Sequence, residues 1–281
     1  MSFLRHIAAC NTHDLTDMRP FIVGGHRVGL VKAAFRDRLL AFGDPFVGVD
    51  DGVAVDDRHA TAEARTVVVG RALAQLVQRG VVHKLRHELY PVLTGWGAEP
   101  LMGIDRAAVP YFGLKSFGLH VNGFVRKADG LHLWVGRRSM DRGVAPGQFD
   151  NLVAGGQPLG LTLAENLVKE AHEEAALPAD LARRAVPVGL ISYLMRNEHG
   201  LKDDTLFCYD LELAPDFVPR NVDGEVEQFE LWPVDRVAAS VRDTDDWKFN
   251  VNLVVIDFLI RHGWLTPDHP EYMALCKGLR R

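Results

Sequence analysis

Three carboxylates lie close together in the sequence, shortly after a glycine-rich loop. Gly155 and Gly156 open this loop, and Glu170, Glu173 and Glu174 follow on the next segment. Glycine lets the backbone fold close to a bound ion or phosphate, and carboxylate oxygen is a ligand that Mg²⁺ prefers. These residue types in this order predict a divalent-cation site that handles a phosphate compound.

The segment that carries the carboxylates is predicted to be a helix over residues 163–175. Thr162 and Glu165 form a capping box at its start, which satisfies the first free N–H groups of the helix. At about 100° per residue the three carboxylates share one stripe, beside an apolar flank that can pack on a sheet. Clustered negative charges raise one another's pKa unless cations neutralise them. A solvated helix face would show the same spacing, but the glycine loop before it favours a metal site.

The loop and helix together resemble the Nudix box, G-x5-E-x7-R-E-U-x-E-E-x-G-U, in which U is aliphatic. Residues 169–174 line up with R-E-U-x-E-E, and Gly155 precedes Glu170 by the required fifteen residues. The sequence departs from the pattern at three positions, with Leu161 in place of the early Glu, Lys169 in place of Arg and Ala176 in place of the late Gly.

The resemblance implies which residues hold metal and which act in catalysis. The implied ligands for one to three Mg²⁺, or Mn²⁺, are Glu170, Glu173, Glu174 and a backbone carbonyl of Gly155 or Gly156. Lys169 is expected to form an ion pair with a box glutamate, without the two-pronged fork of arginine. In many Nudix enzymes an acidic residue from a late loop reaches the metals or acts as general base. We favour Glu225 over Glu227 and Glu230 for that role, because it lies nearest to a glycine turn.

A wider resemblance covers nearly the whole chain. The segments 134–139, 146–156 and 257–263 look like the Nudix branch related to thiamine pyrophosphokinase, whose members carry an extra N-terminal domain. Residues 19–29 are similar to the start of that domain. The resemblance implies hydrolysis of the diphosphate of thiamine diphosphate, or of its oxidised analogues, to a monophosphate and phosphate.

Two consecutive arginines are candidates for binding substrate phosphate. Arg137 and Arg138 come at the end of a predicted strand. Guanidinium groups suit phosphate oxygens, but successive strand residues point to opposite faces. Only one of the pair can therefore face the cleft.

The elements that must position these residues predict an α/β (α+β) protein in two parts. Residues 1–116 are expected to form a small α/β domain, and residues 117–281 a Nudix fold with a mixed sheet sandwiched between helices. Periodicity and turn residues predict strands at 20–23, 28–31, 119–125, 131–135, 188–194, 206–213 and 226–232. Further helices are predicted at 61–79 and 249–262.

The composition excludes several classes of protein. With 47% hydrophobic residues and a net charge of −5, the chain fits neither a disordered protein nor a basic nucleic-acid-binding one. Its apolar runs are too short for a membrane span, and its first residues do not resemble a signal peptide. Three scattered cysteines fit a reducing compartment. We therefore predict a cytoplasmic enzyme with a small-molecule diphosphate as its partner and no nucleic-acid or membrane partner; a homodimer is compatible with this.

Two other functions fit the same motifs. A Nudix pyrophosphatase acting on a nucleotide-sugar, a dinucleotide or a nucleoside triphosphate would share every motif described above. A non-catalytic ligand sensor is suggested by the departures at Leu161 and Lys169, but the retention of all three helix glutamates argues against it.

Overall fold

The computed structural model describes residues 1–11 and 14–280. Its strands are β1 (Met18–Val23), β2 (His26–Lys32), β3 (Phe46–Val49), β4 (Gly52–Val55), β5 (Leu89–Val92), β6 (Met102–Asp105), β7 (Lys115–Lys127), β8 (Gly130–Arg138), β9 (Phe149–Asp150), β10 (Val153–Gly156), β11 (Val186–Arg196), β12 (Leu201–Glu212) and β13 (Val226–Pro233). Its helices are α1 (Leu4–Cys10), α2 (Ala33–Phe42), α3 (Ala62–Gln78), α4 (Val109–Phe112), α5 (Leu163–Ala175), α6 (Ala179–Ala182), α7 (Val234–Asp243), α8 (Val251–Arg261) and α9 (Tyr272–Gly278), and a 3₁₀ turn covers Arg106–Ala108. Along these described ranges, no helix combines the length and the hydropathy needed to cross a membrane.

The N-terminal part builds its own hydrophobic core. A sheet in the order β2-β1-β4-β3 packs with α2 and α3, and the β5–β6 hairpin closes the same core. Phe21, Leu39, Leu73 and Ile104 are among its buried side chains. The predicted hairpin of β1 and β2 and the predicted helix α3 are confirmed.

The C-terminal part is a mixed sheet between two helical layers. Its strands follow the order β11-β12-β7-β8-β13, with β10 paired to β7 and β9 paired to β8, and β12 runs parallel to β7. Because side chains alternate along a strand, β7 contributes Leu119 to the core shared with α5 and Phe124 to the core shared with α8. The predicted fold class is confirmed: it is a mixed sheet sandwiched between helices.

The first helix packs in the core of the C-terminal part. Phe3 and Cys10 are buried in the core of α8 and α9, and the Phe3 N–H donates to Glu271 Oε2 at 3.0 Å. His6 Nε2 lies 2.6 Å from the Val241 carbonyl oxygen. The division of the chain at residue 116 stays a prediction, and the structure adds that α1 completes the C-terminal core.

Candidate active site

Helix α5 presents the carboxylates, and local signals fix where it begins. Thr162 Oγ1 accepts the Glu165 N–H at 3.2 Å, and Glu165 Oε2 accepts the Thr162 N–H at 2.8 Å, so the predicted capping box is confirmed. Leu167 and Ala171 are buried on the flank that packs against the sheet. Packing of this flank orients the opposite side of the helix toward the loops around it.

The helix ends on a strained residue. Ala176 has φ 53° and ψ 31°, which is the left-handed region that favours glycine. Its N–H donates to the His172 carbonyl at 3.0 Å, and the next N–H, of Leu177, reaches the Ala171 carbonyl at 3.0 Å. The late glycine of the Nudix box would fit this position without strain, so alanine here carries a conformational penalty.

Glu170 lies against the glycine loop, and Lys169 joins it to Glu173. A Cβ atom on Gly155 would collide with the Glu170 carboxyl group, which explains why glycine is needed there. Lys169 Nζ lies 3.0 Å from Glu170 Oε1 and 2.8 Å from Glu173 Oε2. The Glu170 side chain is 13% exposed; burial raises its pKa, although Lys169 opposes the rise. Lysine thus makes an ion pair with two box glutamates.

Glu174 is the most buried of the three carboxylates. Its Oε2 atom accepts the Ala154 N–H at 2.8 Å, which ties the helix to β10. Burial raises its pKa well above the ordinary value, and the negative charges of Asp150, Glu170 and Glu225 add to the rise. Glu174 therefore lies within electrostatic range of three other carboxylates, and the hydrogen bond from Ala154 only partly offsets the effect.

The two glycines of the loop have different surroundings. The Gly156 carbonyl accepts a hydrogen bond from Asn166 Nδ2 at 2.8 Å. A Cβ atom on Gly156 would collide with the Tyr90 hydroxyl, so strand β5 packs directly on the loop. Since a carbonyl oxygen has two lone pairs, both glycines stay candidates for a backbone ligand.

A loop that precedes β13 brings Glu225 toward α5. The N–H groups of Val222 and Asp223 both donate to the Glu173 carbonyl at 3.2 Å, which holds the loop against the helix. Glu225 Oε1 lies 2.5 Å from Arg142 Nη1, and both side chains are partly exposed. The loop thus places Glu225 near the carboxylates of α5, and its charge contributes to the raised pKa of Glu174.

The two other candidates for the general base, Glu227 and Glu230, are less suitably placed than Glu225. Glu227 is exposed. Glu230 Oε2 accepts a hydrogen bond from Trp232 Nε1 at 2.8 Å on the same strand. The geometry favours Glu225 among the three, and its catalytic role stays a prediction.

The consecutive arginines both make contacts within the protein. Arg138 is 8% exposed, and its Nη1 atom lies 2.7 Å from Asp150 Oδ2, which also contacts Lys248 Nζ at 3.1 Å. Burial opposes ionisation of Asp150, but Lys248 and Arg138 contribute to a lowered pKa. The Arg137 guanidinium lies 4.6 Å from the centre of the Phe149 ring and donates to the Gly147 carbonyl. Arg138 is therefore held in a buried ion pair and Arg137 is only partly buried, and the role of the pair in binding phosphate stays a prediction.

The donors around α5 suit a hard divalent cation. The buried Glu174 and the partly buried Glu170 have raised pKa values, and a nearby cation would reverse that effect. Within residues 1–11 and 14–280, no group of three or more His, Cys, Asp or Glu side chains is already arranged to hold a metal ion. The ammonium of Lys169 instead stands between Glu170 and Glu173. The residues therefore fit Mg²⁺ or Mn²⁺ by the chemistry of their donors.

The sequence analysis missed the residues that the N-terminal part brings to this region. Glu88 contributes to the raised pKa of Glu170, after burial and the other helix charges, and Arg106 Nη1 lies 3.0 Å from Glu88 Oε2. Arg142 was missed as well. No motif marks these residues, since they lie on short strands and loops that come near α5 only through the fold.

Comparison with known proteins covers both parts of the chain. A family model described as a domain of unknown function (DUF4743) matches residues 2–116. Because that description assigns no activity, the likeness of this part to a thiamine pyrophosphokinase-related domain stays a prediction. A solved structure, DR0079 from Deinococcus radiodurans, is 22% identical and covers 60% of this chain and 97% of its own, with a TM-score of 0.45.

Two relatives from Arabidopsis thaliana match nearly the full length. Nudix hydrolase 24, chloroplastic, is 42% identical over 99% of this chain and 77% of its own length. Nudix hydrolase 20, chloroplastic, is 41% identical over the same shares. Both are named as chloroplastic, so the predicted cytoplasmic location is wrong on this comparison; the number of cysteines reports a reducing environment and not a particular compartment.

Identity at this level does not depend on the box alone, because it extends across both parts of the chain. It includes a region in which the structure shows a capped helix with three glutamates next to a glycine loop. This chain is an enzyme and belongs to the Nudix hydrolase family.

Proposed function

We propose that this enzyme hydrolyses the diphosphate of thiamine diphosphate, or of its oxidised analogues, to a monophosphate and phosphate, with Mg²⁺ or Mn²⁺ as the cofactor. The observation that carries the proposal is a pair of carboxylates with raised pKa values beside Gly155, the buried Glu174 and the partly buried Glu170. Such a site is unfavourable without a cation, and a divalent cation can bind a diphosphate on its other side.

The residues of α5 would hold the metal, and their neighbours would position them. Glu170, Glu173 and Glu174, with a backbone carbonyl of Gly155 or Gly156, are the proposed ligands. When bound, the metal supplies charge neutralisation on the diphosphate and lowers the pKa of a coordinated water. Lys169 orients Glu170 and Glu173 through its two ion pairs.

Glu225 is the proposed acceptor of the proton from the attacking water. Arg142 engages its Oε1 atom, so we assign the proton to Oε2. The loop that carries Glu225 is hydrogen-bonded to the Glu173 carbonyl, which keeps the proposed base close to the proposed metal ligands. General-base catalysis of this kind typically contributes 10²–10⁴-fold.

The N-terminal part is proposed to contact the organic half of the substrate. Thiamine carries a cationic thiazolium ring and a flat pyrimidine, which favour carboxylates and aromatic faces. Glu88 and Tyr90 lie near the glycine loop. Trp96 is 49% exposed, and the centre of its ring lies 4.8 Å from that of Phe117 and 4.6 Å from that of Phe207. These side chains supply the chemistry that such a substrate needs.

A panel of diphosphates tests the proposal. Purified protein would be assayed for phosphate release and product mass with thiamine diphosphate, its oxo analogue, ADP-ribose and a nucleoside triphosphate, each with Mg²⁺, with Mn²⁺ or with EDTA. We expect the highest kcat/KM with a thiamine compound, and loss of activity in EDTA. A clear preference for ADP-ribose or the triphosphate would refute the thiamine assignment and favour a broader Nudix pyrophosphatase. Tight binding without turnover of any compound would favour a ligand sensor.

A further inference from the structure

The β5–β6 hairpin of the N-terminal part is fixed to the loop that leads into α5. The Leu159 N–H donates to the Leu89 carbonyl at 2.7 Å. The Tyr90 hydroxyl occupies the space that a side chain on Gly156 would need. On the other strand, a Cβ atom on Gly103 would lie 2.9 Å from Leu159 Cδ2. The hairpin therefore forms one wall beside the proposed metal loop.

Arg106 follows directly after β6, and Glu88 comes directly before β5, so the two residues lie at the same end of the hairpin. Its N–H donates to the Glu88 carbonyl at 2.9 Å, and its Nη1 atom lies 3.0 Å from Glu88 Oε2. The guanidinium carbon lies 5.8 Å from the centre of the Tyr90 ring. The buried carboxylate of Asp105 accepts the N–H groups of Arg86, His87 and Ala107, which locks the turn before Arg106.

The charges around Arg106 belong to both parts of the chain. Burial opposes the charged form of Arg106, but Tyr90, Glu88 and Glu225 together raise its pKa. Burial raises the pKa of Tyr90, with contributions from Glu88 and Glu170. Arg106 is therefore within electrostatic range of Glu225, the proposed general base.

Three other cations of this region are paired with carboxylates. Lys169 is held between two carboxylates, Arg138 is buried on Asp150, and Arg142 is paired with Glu225. Arg106 is paired as well, but its side chain is 48% exposed and its one partner, Glu88, is itself 30% exposed. A planar guanidinium offers donors that match two phosphate oxygens at once.

We propose that Arg106 is a substrate-binding residue of the Nudix site, which binds non-bridging oxygens of the substrate diphosphate, and that Glu88 holds it in place until substrate enters. The proposal rests on the proposed function, because it assumes a diphosphate beside α5. In this proposal the N-terminal part binds the diphosphate of the substrate as well as its organic half.

Binding of a non-hydrolysable diphosphate tests this directly. The dissociation constant of methylenediphosphonate in Mg²⁺ would be measured by calorimetry for the wild type, Arg106→Gln and Arg106→Lys. We expect the constant to rise at least about 10-fold in Arg106→Gln, and less in Arg106→Lys, which keeps the charge but loses the fork. For hydrolysed substrates KM should rise more than kcat falls. Arg79→Gln is the matched control, because Arg79 lies over the Phe42 ring within the N-terminal part.

Substitution of Glu88 provides a second test, in which the affinity for methylenediphosphonate should increase. Glu88→Gln removes the carboxylate that holds Arg106 and should tighten binding of methylenediphosphonate several-fold. If the gain acts through Arg106, it should be absent when Glu88→Gln is combined with Arg106→Gln. Loss of folding cannot produce a gain in affinity, so this pair of measurements separates a binding role from a structural one.

The outcomes separate this proposal from the proposed function. If the wild type binds the probe and Arg106→Gln binds it equally well, or if Arg79→Gln is weakened as much, the role of Arg106 is refuted while the diphosphatase proposal stands. If the wild type neither binds the probe nor hydrolyses any diphosphate of the panel, both proposals fail together.

Discussion

Glu174→Gln should inactivate the enzyme and at the same time stabilise the metal-free protein. The substitution keeps the shape of the side chain, and the amide oxygen can still accept the Ala154 N–H that Glu174 accepts at 2.8 Å. It removes a charge that burial and the neighbouring carboxylates of Asp150 and Glu170 oppose. Loss of a charged metal ligand should lower kcat at least about 100-fold.

The size and sign of the stability gain follow from the raised pKa of Glu174. Well below the ordinary carboxyl pKa, Glu174 is protonated in both the folded and the unfolded chain, so the substitution changes nothing. As the pH rises, the unfolded chain ionises first, and the wild type loses about 1.4 kcal/mol for each unit by which the pKa of Glu174 is raised. Since about 1 kcal/mol shifts Tm by about 2–4 °C in chains of 150–250 residues, we expect Glu174→Gln to melt at least about 2 °C higher at pH 8 in EDTA.

Glu173→Gln is the matched control for this experiment. Glu173 is 42% exposed and paired with Lys169 at 2.8 Å. Its replacement should also inactivate the enzyme, but it removes an exposed ion pair of about 0.3–0.5 kcal/mol and should not stabilise the protein. Tm would be measured from pH 4 to pH 8 for both variants. A Glu174→Gln protein that is no more stable than the wild type at pH 8, or equally stabilised at pH 4, would refute the reasoning.

Four further substitutions have definite expected outcomes. Lys169→Arg should keep or slightly raise kcat, because arginine restores the fork of the box; collapse of activity in a folded variant would show a separate role for Lys169. Ala176→Gly should stabilise the protein by about 1 kcal/mol in urea unfolding with unchanged kcat, and a loss of stability would contradict the strain argument. Glu225→Gln should lower kcat at least about 10-fold with little change in KM, and an unchanged kcat in a folded variant would remove it as the base. Arg138→Met should destabilise the fold by about 3 kcal/mol, since it leaves the buried carboxylate of Asp150 to Lys248 alone, and a loss under about 1 kcal/mol would contradict this.

Helix α5 could be predicted from the sequence because its signals are local. A capping box, a period of 3.6 residues and a glycine loop all lie within about two dozen consecutive residues, and each acts through contacts between near neighbours. The bounds of α5 agree with the predicted range 163–175. Long strands rich in apolar residues, such as β7 and β8, could be located for the same reason.

The surroundings of the helix could not be predicted, because they depend on contacts between distant residues. Strand β5 has four residues, one of which is proline, so it carries almost no periodic signal. Its contact with Gly156 appears only when the hairpin packs on the glycine loop. The buried ion pair of Arg138 could not be predicted because its partner, Asp150, lies twelve residues further on and no spacing rule connects them.

Helix α1 has a consequence for the order in which the protein can be completed. Cys10 on this helix and Phe3 just before it belong to a core whose other members include Phe258, Leu275 and Leu279. During synthesis α1 leaves the ribosome long before these partners exist, so its apolar face has nothing native to pack against until α8 and α9 emerge. A helix made before the whole N-terminal core is therefore buried only after that core is complete, and chaperone binding during translation should concentrate on it.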